Sequence, residues 1–103
     1  MYAQYVRSAD HARQLRQEAG RWLRTCREAR AMTQRDLAER VGLRYYTFIS
    51  QIEGGHGRIP PDQYEAWAMA LDIEPREFAK AMLRYYDPFT FRLLFPEDVA
   101  ASA

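Results

Sequence analysis

The chain has 103 residues, 15 Lys and Arg against 14 Asp and Glu, and 48% apolar and 14% aromatic residues. That is one domain's length with side chains enough for a core; with only five Gly and five Pro it excludes a basic tail, an acidic disordered region and a low-complexity linker. The single cysteine, Cys26, excludes an intramolecular disulfide, and with only His11 and His56 as further soft ligands there is no zinc constellation and no implied cofactor.

The opening MYAQYVRSADHARQ lacks the apolar core of a signal peptide, and no stretch approaches the roughly 20 apolar residues of a membrane span. A soluble protein of a reducing cytoplasm is the expectation. Residues 1–60 carry 11 Arg against six acids, a net of +5, whereas 61–103 carry four basic residues against eight acids, a net of −4. This polarity reads either as one face meeting a polyanion or as the mark of a GC-rich genome, given 14 Arg to one Lys beside 15 Ala.

In chain order the punctuation is helical. Ala12, Leu15, Ala19, Trp22, Cys26 and Ala29 recur at spacings of three and four, one stripe of a helix over 9–31, with Ser8 and Asp10 as caps for its start. Gly20 costs about 1 kcal/mol relative to Ala within that stretch, which leaves one long helix or two abutting ones. Thr33 is an N-cap followed by a polar first turn with Asp36 near the positive end of the dipole. A helix 34–41 follows with Leu37, Ala38 and Val41 inward, and Gly42 supplies a left-handed exit. In the next helix, 46–53, Phe48, Ile49 and Ile52 form the apolar face and Tyr46, Thr47, Ser50 and Gln51 the polar one. Gly54, Gly55 and Gly57 end it.

Further on, Asp62 caps a helix over 62–71 with Tyr64, Trp67, Ala68 and Leu71 inward. Pro75 then opens a helix 75–86 at a first-turn position, with Phe78, Met82 and Leu83 inward. The closing PFTFRLLFP carries five large apolar residues, Phe89, Phe91, Leu93, Leu94 and Phe95. They either form an interface with a second copy or fold back on the N-terminal helix.

Two short helices joined by a glycine-led turn are the elements of a helix-turn-helix, in which the small Ala38 lets the second helix cross closely and enter the major groove, about 12 Å wide. The spacing Leu23-Arg24-x-x-Arg27-x-x-Arg30, Thr33-Gln34-x-x-Leu37-Ala38-x-x-Val41-Gly42 and Ile49-Ser50-x-Ile52-Glu53-x-Gly55 resembles the phage-repressor-like (XRE) helix-turn-helix family over roughly 20–83. The resemblance implies an all-α, five-helix, lambda-repressor-like domain at 20–86. Residues 1–19 would be an extra N-terminal helix or an extension of helix one, and 87–103 a short aromatic tail and possible dimerisation element. One departure is that Ile49 lies seven residues after Gly42 rather than six, so the turn is one residue longer and Arg44 replaces the usual Ser/Thr cap.

What the resemblance implies is a sequence-specific double-stranded DNA-binding transcriptional regulator, more often repressor than activator, acting as a homodimer with the recognition helix at about 46–53. Base contacts would come from Arg44, Tyr45, Tyr46, Thr47, Ser50 and Gln51; Gln51 suits the adenine edge and Thr47 the thymine methyl. One of the two tyrosines could instead pack into the enlarged turn. Phosphate contacts would come from Thr33, Gln34, Arg35 and Arg58, and Arg27 and Glu53 match a buried pair that orients the recognition helix. Cys26, Trp22, Met69 and Met82 are read as ordinary core. The alternative is an antitoxin-like or co-regulator module that binds a protein partner through the N-terminal helix or the tail. With no paired carboxylates, nucleophile elbow or metal spacing, an enzyme is not expected.

Overall fold

A computed structural model describes the backbone of residues 2–102 and the side chains of 9–99. Among these residues the chain is wholly helical: α1 (Tyr2–Ala29), α2 (Gln34–Arg40), α3 (Thr47–Glu53), a 3-10 turn (Pro61–Gln63), α4 (Tyr64–Ala70), α5 (Pro75–Tyr86), α6 (Pro88–Leu94) and α7 (Pro96–Ser102). The core is one cluster, with Leu23, Leu37, Ile49, Ile59, Trp67, Phe78 and Met82 all but excluded from solvent. The indole N–H of Trp67 has no hydrogen-bond partner there.

The first stretch is one helix, not two, and it starts before Ser8 and Asp10, which therefore lie inside it and not at its start. Its buried line also differs from the sequence stripe: Ala19, Gly20, Leu23 and Arg27 face inward, whereas Ala12 and Ala29 are exposed and Trp22 and Cys26 half-buried. The reason lies at Gly20. A Cβ there would stand 2.2 Å from the carbonyl oxygen of Glu53, so α1 and α3 cross backbone to backbone and the missing side chain is what permits the crossing. Gly55, at φ +81° in the left-handed region, packs against Gln17 of α1 in the same way.

The ends of α2 follow the caps expected, but Asp62 does not cap α4: it lies inside the 3-10 turn Pro61–Gln63, and α4 starts at Tyr64 after Gln63 with no side-chain cap. Thr33 and Asp36 form a reciprocal capping box, the Thr33 hydroxyl accepting from the Asp36 amide at 3.0 Å and the Asp36 carboxylate from the Thr33 amide at 2.9 Å. Gly42 leaves α2 at φ +76°, and the Leu43 amide donates to the Ala38 carbonyl at 2.8 Å. Ala31 and Asp72 hold the same left-handed exit after α1 and α4 without being glycine.

The tail is helical. Phe91 is buried beneath the guanidinium of Arg84 and beside Phe95, while Phe89, Leu93 and Leu94 point outward. Asp87 caps α6 through the Thr90 amide (3.1 Å) and hydroxyl (2.5 Å), and Lys80 of α5 meets Asp98 of α7. Among the described residues no helix is long and apolar enough to cross a membrane.

Candidate nucleic-acid interface

The short helix α3 can bury only one side. Ile49, Ile52 and Glu53 turn inward, which leaves Thr47, Ser50 and Gln51 exposed on the opposite side. None of these three side chains hydrogen-bonds to a described residue. Phe48 is the exception to the sequence reading: at 49% exposure it belongs to the rim of the outer face, not to the core. Its neighbour Ile49 already fills the inward position, and residues one apart on a helix point about 100° apart.

Glu53 anchors the helix from within. Arg27 donates from Nε to Glu53 Oε2 at 2.7 Å and from Nη2 to Oε1 at 3.0 Å, a two-pronged bond between groups that are each about 8% exposed. The same guanidinium donates to the Met32 carbonyl at 2.7 Å, fixing the loop that leads into α2. The hydrogen bonds it donates to Glu53 are the main reason the Arg27 guanidinium holds its proton more firmly than usual, against the opposing effect of burial. Gln34 completes the cluster by donating its amide to Glu53 Oε1 at 3.1 Å. One carboxylate thus joins α1, the start of α2 and the end of α3.

The longer turn before α3 runs from Val41 to Tyr46, and α3 begins at Thr47 with no side-chain cap. Leu43 fills its inner side, half-buried against the core, so neither tyrosine packs into the turn. Both are exposed and each lies under a guanidinium: Arg35 stands 4.8 Å from the Tyr46 ring centre and Arg44 5.5 Å from that of Tyr45. Two arginine–tyrosine stacks therefore stand at the entrance of α3, beside Thr33 and Gln34 at the start of α2.

Arg58 lies apart from this group. Its guanidinium sits 4.8 Å above the Tyr86 ring and 3.4 Å from that residue's carbonyl oxygen, and the Tyr86 hydroxyl accepts from the Ile59 amide at 3.3 Å. The loop after α3 is thereby tied to the end of α5. Burial pushes the Tyr86 phenol and the Cys26 thiol up from their ordinary values, so both stay protonated at neutral pH. Trp22 packs on Phe78 and Tyr85 at 6.0 and 6.3 Å, and Met69, read as core, is exposed.

Sequence reasoning missed Phe48 and the backbone crossing at Gly20. The crossing could have been suspected from a glycine standing within a buried stripe instead of at a helix end.

A short capped helix, a glycine-led turn and a second helix with an uncommitted polar face define a helix-turn-helix protein. A family model described as Helix-turn-helix matches residues 23–78, just over half of the chain, and the chain belongs to this XRE-type, DNA-binding regulatory family. No curated protein matches the chain.

Proposed function

We propose that this protein is a sequence-specific regulator of transcription that binds double-stranded DNA as a homodimer and acts as a repressor. The observation that carries this reading is the outer face of α3, where Thr47, Ser50 and Gln51 are exposed with no intramolecular hydrogen bonds to described residues. A helix that keeps donors and acceptors free beside arginines suits the major groove, where base edges offer complementary groups. Gln51 reads adenine, Thr47 and Ser50 offer hydroxyls, and Arg44, Tyr45 and Tyr46 contact bases at the edge of the site. Thr33, Arg35, Arg58 and the backbone amide of Gln34 contact phosphates; the Gln34 side chain is already committed to Glu53.

Support for the homodimer comes from α6, whose Phe89, Leu93 and Leu94 are all more than half exposed. Pairing two half-sites one helical turn apart gives a small domain the contacts it needs. Repression follows by occupying a promoter.

The test is selection of bound sequences from a randomised DNA pool, with the wild type beside Gln51→Ala and Thr47→Ala. The wild type should enrich a two-fold site, and the variants should lose preference while keeping nonspecific binding. No enrichment by the wild type, or unchanged preference in both variants, would overturn the reading. Leu93→Glu should convert a dimer to a monomer in sedimentation; an unchanged dimer removes α6 as the interface.

A further inference from the structure

A crevice of about 160 Å³ lies between the N-terminal half of α1 and the corner where α5 meets α6. Its walls are apolar, formed by Leu15, Tyr85, Tyr86, Pro88 and Phe89. Arg16 of α1 and Arg58 of the loop after α3 also line it, as do His11 and Asp87. Among the described residues neither arginine is within ion-pairing distance of a carboxylate. The acid that lines the crevice, Asp87, has one oxygen on the Thr90 amide and the other on the Thr90 hydroxyl.

Apolar walls beside two guanidinium groups that make no salt bridge with a described carboxylate complement an organic anion, although Arg58 also rests on the Tyr86 ring and Asp87 feels its charge. An inorganic anion would leave the walls wet, and a neutral apolar molecule would leave the positive charge without a counterion. The volume sets the size, since a cavity of about 150 Å³ holds a single benzene ring. We propose that the crevice binds a small organic carboxylate with a ring-sized apolar body, and that its carboxylate shares Arg58 with the DNA backbone, so that ligand and DNA oppose each other. The first half of the proposal stands on the crevice alone. The second half rests on the reading of Arg58 as a phosphate contact. A guanidinium drawn to a bound carboxylate has less to offer a phosphate, and by linkage DNA weakens the ligand by the same factor.

The probes are benzoate, phenylacetate and hexanoate, titrated into the isotope-labelled full chain with phenylacetamide as the uncharged control, and amide NMR shifts are followed. Expected are saturable shifts at residues 12–16 and 85–90 with at least one carboxylate. They should weaken by about tenfold or more with phenylacetamide and in Arg16→Gln, a residue outside the DNA face. No saturable shift from any carboxylate, equal shifts from the amide, or shifts confined to α2 and α3 would overturn the site. In a gel shift on the selected DNA, the binding carboxylate should weaken wild-type binding but leave Arg58→Gln unchanged. Unaltered wild-type affinity overturns the coupling. Failure of the DNA reading looks different: the ligand shifts persist and no DNA is bound.

Discussion

Gly20 and Glu53 meet without side chains between them: the position a Cβ would take on Gly20 is 2.2 Å from the Glu53 carbonyl oxygen. On propensity alone Gly20→Ala would gain about 1 kcal/mol in the middle of a helix. Here the added methyl meets a backbone atom that no rotamer change can move, and overpacking of this kind costs about 1–3 kcal/mol. Net of the propensity gain, the variant should be less stable than the wild type by up to about 2 kcal/mol, read as a lower melting temperature of about 4–8 °C per kcal/mol for a domain this small. A rise in melting temperature would mean that the helices separate readily and the crossing does not fix α3.

Arg27 and Glu53 hold the same crossing by charge. Removing one partner of a buried ion pair costs about 3–5 kcal/mol, because the other charge is left without compensation. Arg27→Ala also frees the Met32 carbonyl, so it should be the more damaging of the two single variants beside Glu53→Gln, which keeps an acceptor for Arg27. Urea unfolding followed by circular dichroism measures the order. If Arg27→Ala unfolds at the wild-type midpoint, the pair contributes nothing to holding α3.

Much of this was legible beforehand because it is local. The Thr33 capping box, the left-handed Gly42 and the inward Leu37, Ala38, Ile49 and Ile52 each depend on residues within one turn of one another. The Arg27–Glu53 pair spans 26 residues and was reached only through the family resemblance, since no periodicity links two helices. What pattern reading got wrong depends on tertiary approach. The stripe on α1 is rotated because Gly20 admits α3, and Phe48 is displaced outward because Ile49 already occupies the core. In the tail, five apolar residues in sequence gave no way to tell that Phe91 turns in while Leu93 turns out.

Two acids report on helix starts through pH. Asp36 accepts the Thr33 amide, and that bond holds its carboxyl below the ordinary 3.8. Asp87 is held below 3.8 first by the Thr90 hydroxyl and then by its amide. A folded pKa below the unfolded one means that the unfolded chain binds protons more readily. The stabilisation is present above the unfolded value and is lost as pH falls through it to the depressed folded value. Thermal melts from neutral to acid pH should show a steeper acid loss for the wild type than for Asp36→Asn or Asp87→Asn. Parallel acid limbs would show that these bonds add no stability.

Arg35 offers a way to separate affinity from specificity on the proposed DNA face. Its guanidinium rests on the Tyr46 ring 4.8 Å away, which holds a positive charge at the start of α3 with no salt bridge to an acid among the described residues. A charge placed on a phosphate releases a counterion, and each such contact contributes about −0.9 to the slope of log affinity against log salt. Arg35→Gln should therefore bind more weakly on every sequence, flatten the salt slope by about one unit and keep the same preferred site. Gln51→Ala should do the reverse, keeping the slope and losing the preference. The two variants share one short surface, so a defect in folding would alter both quantities in both proteins. If Arg35→Gln changes the selected sequence while its salt slope stays at the wild-type value, Arg35 reads bases and the division between α2 as the phosphate clamp and α3 as the reader fails.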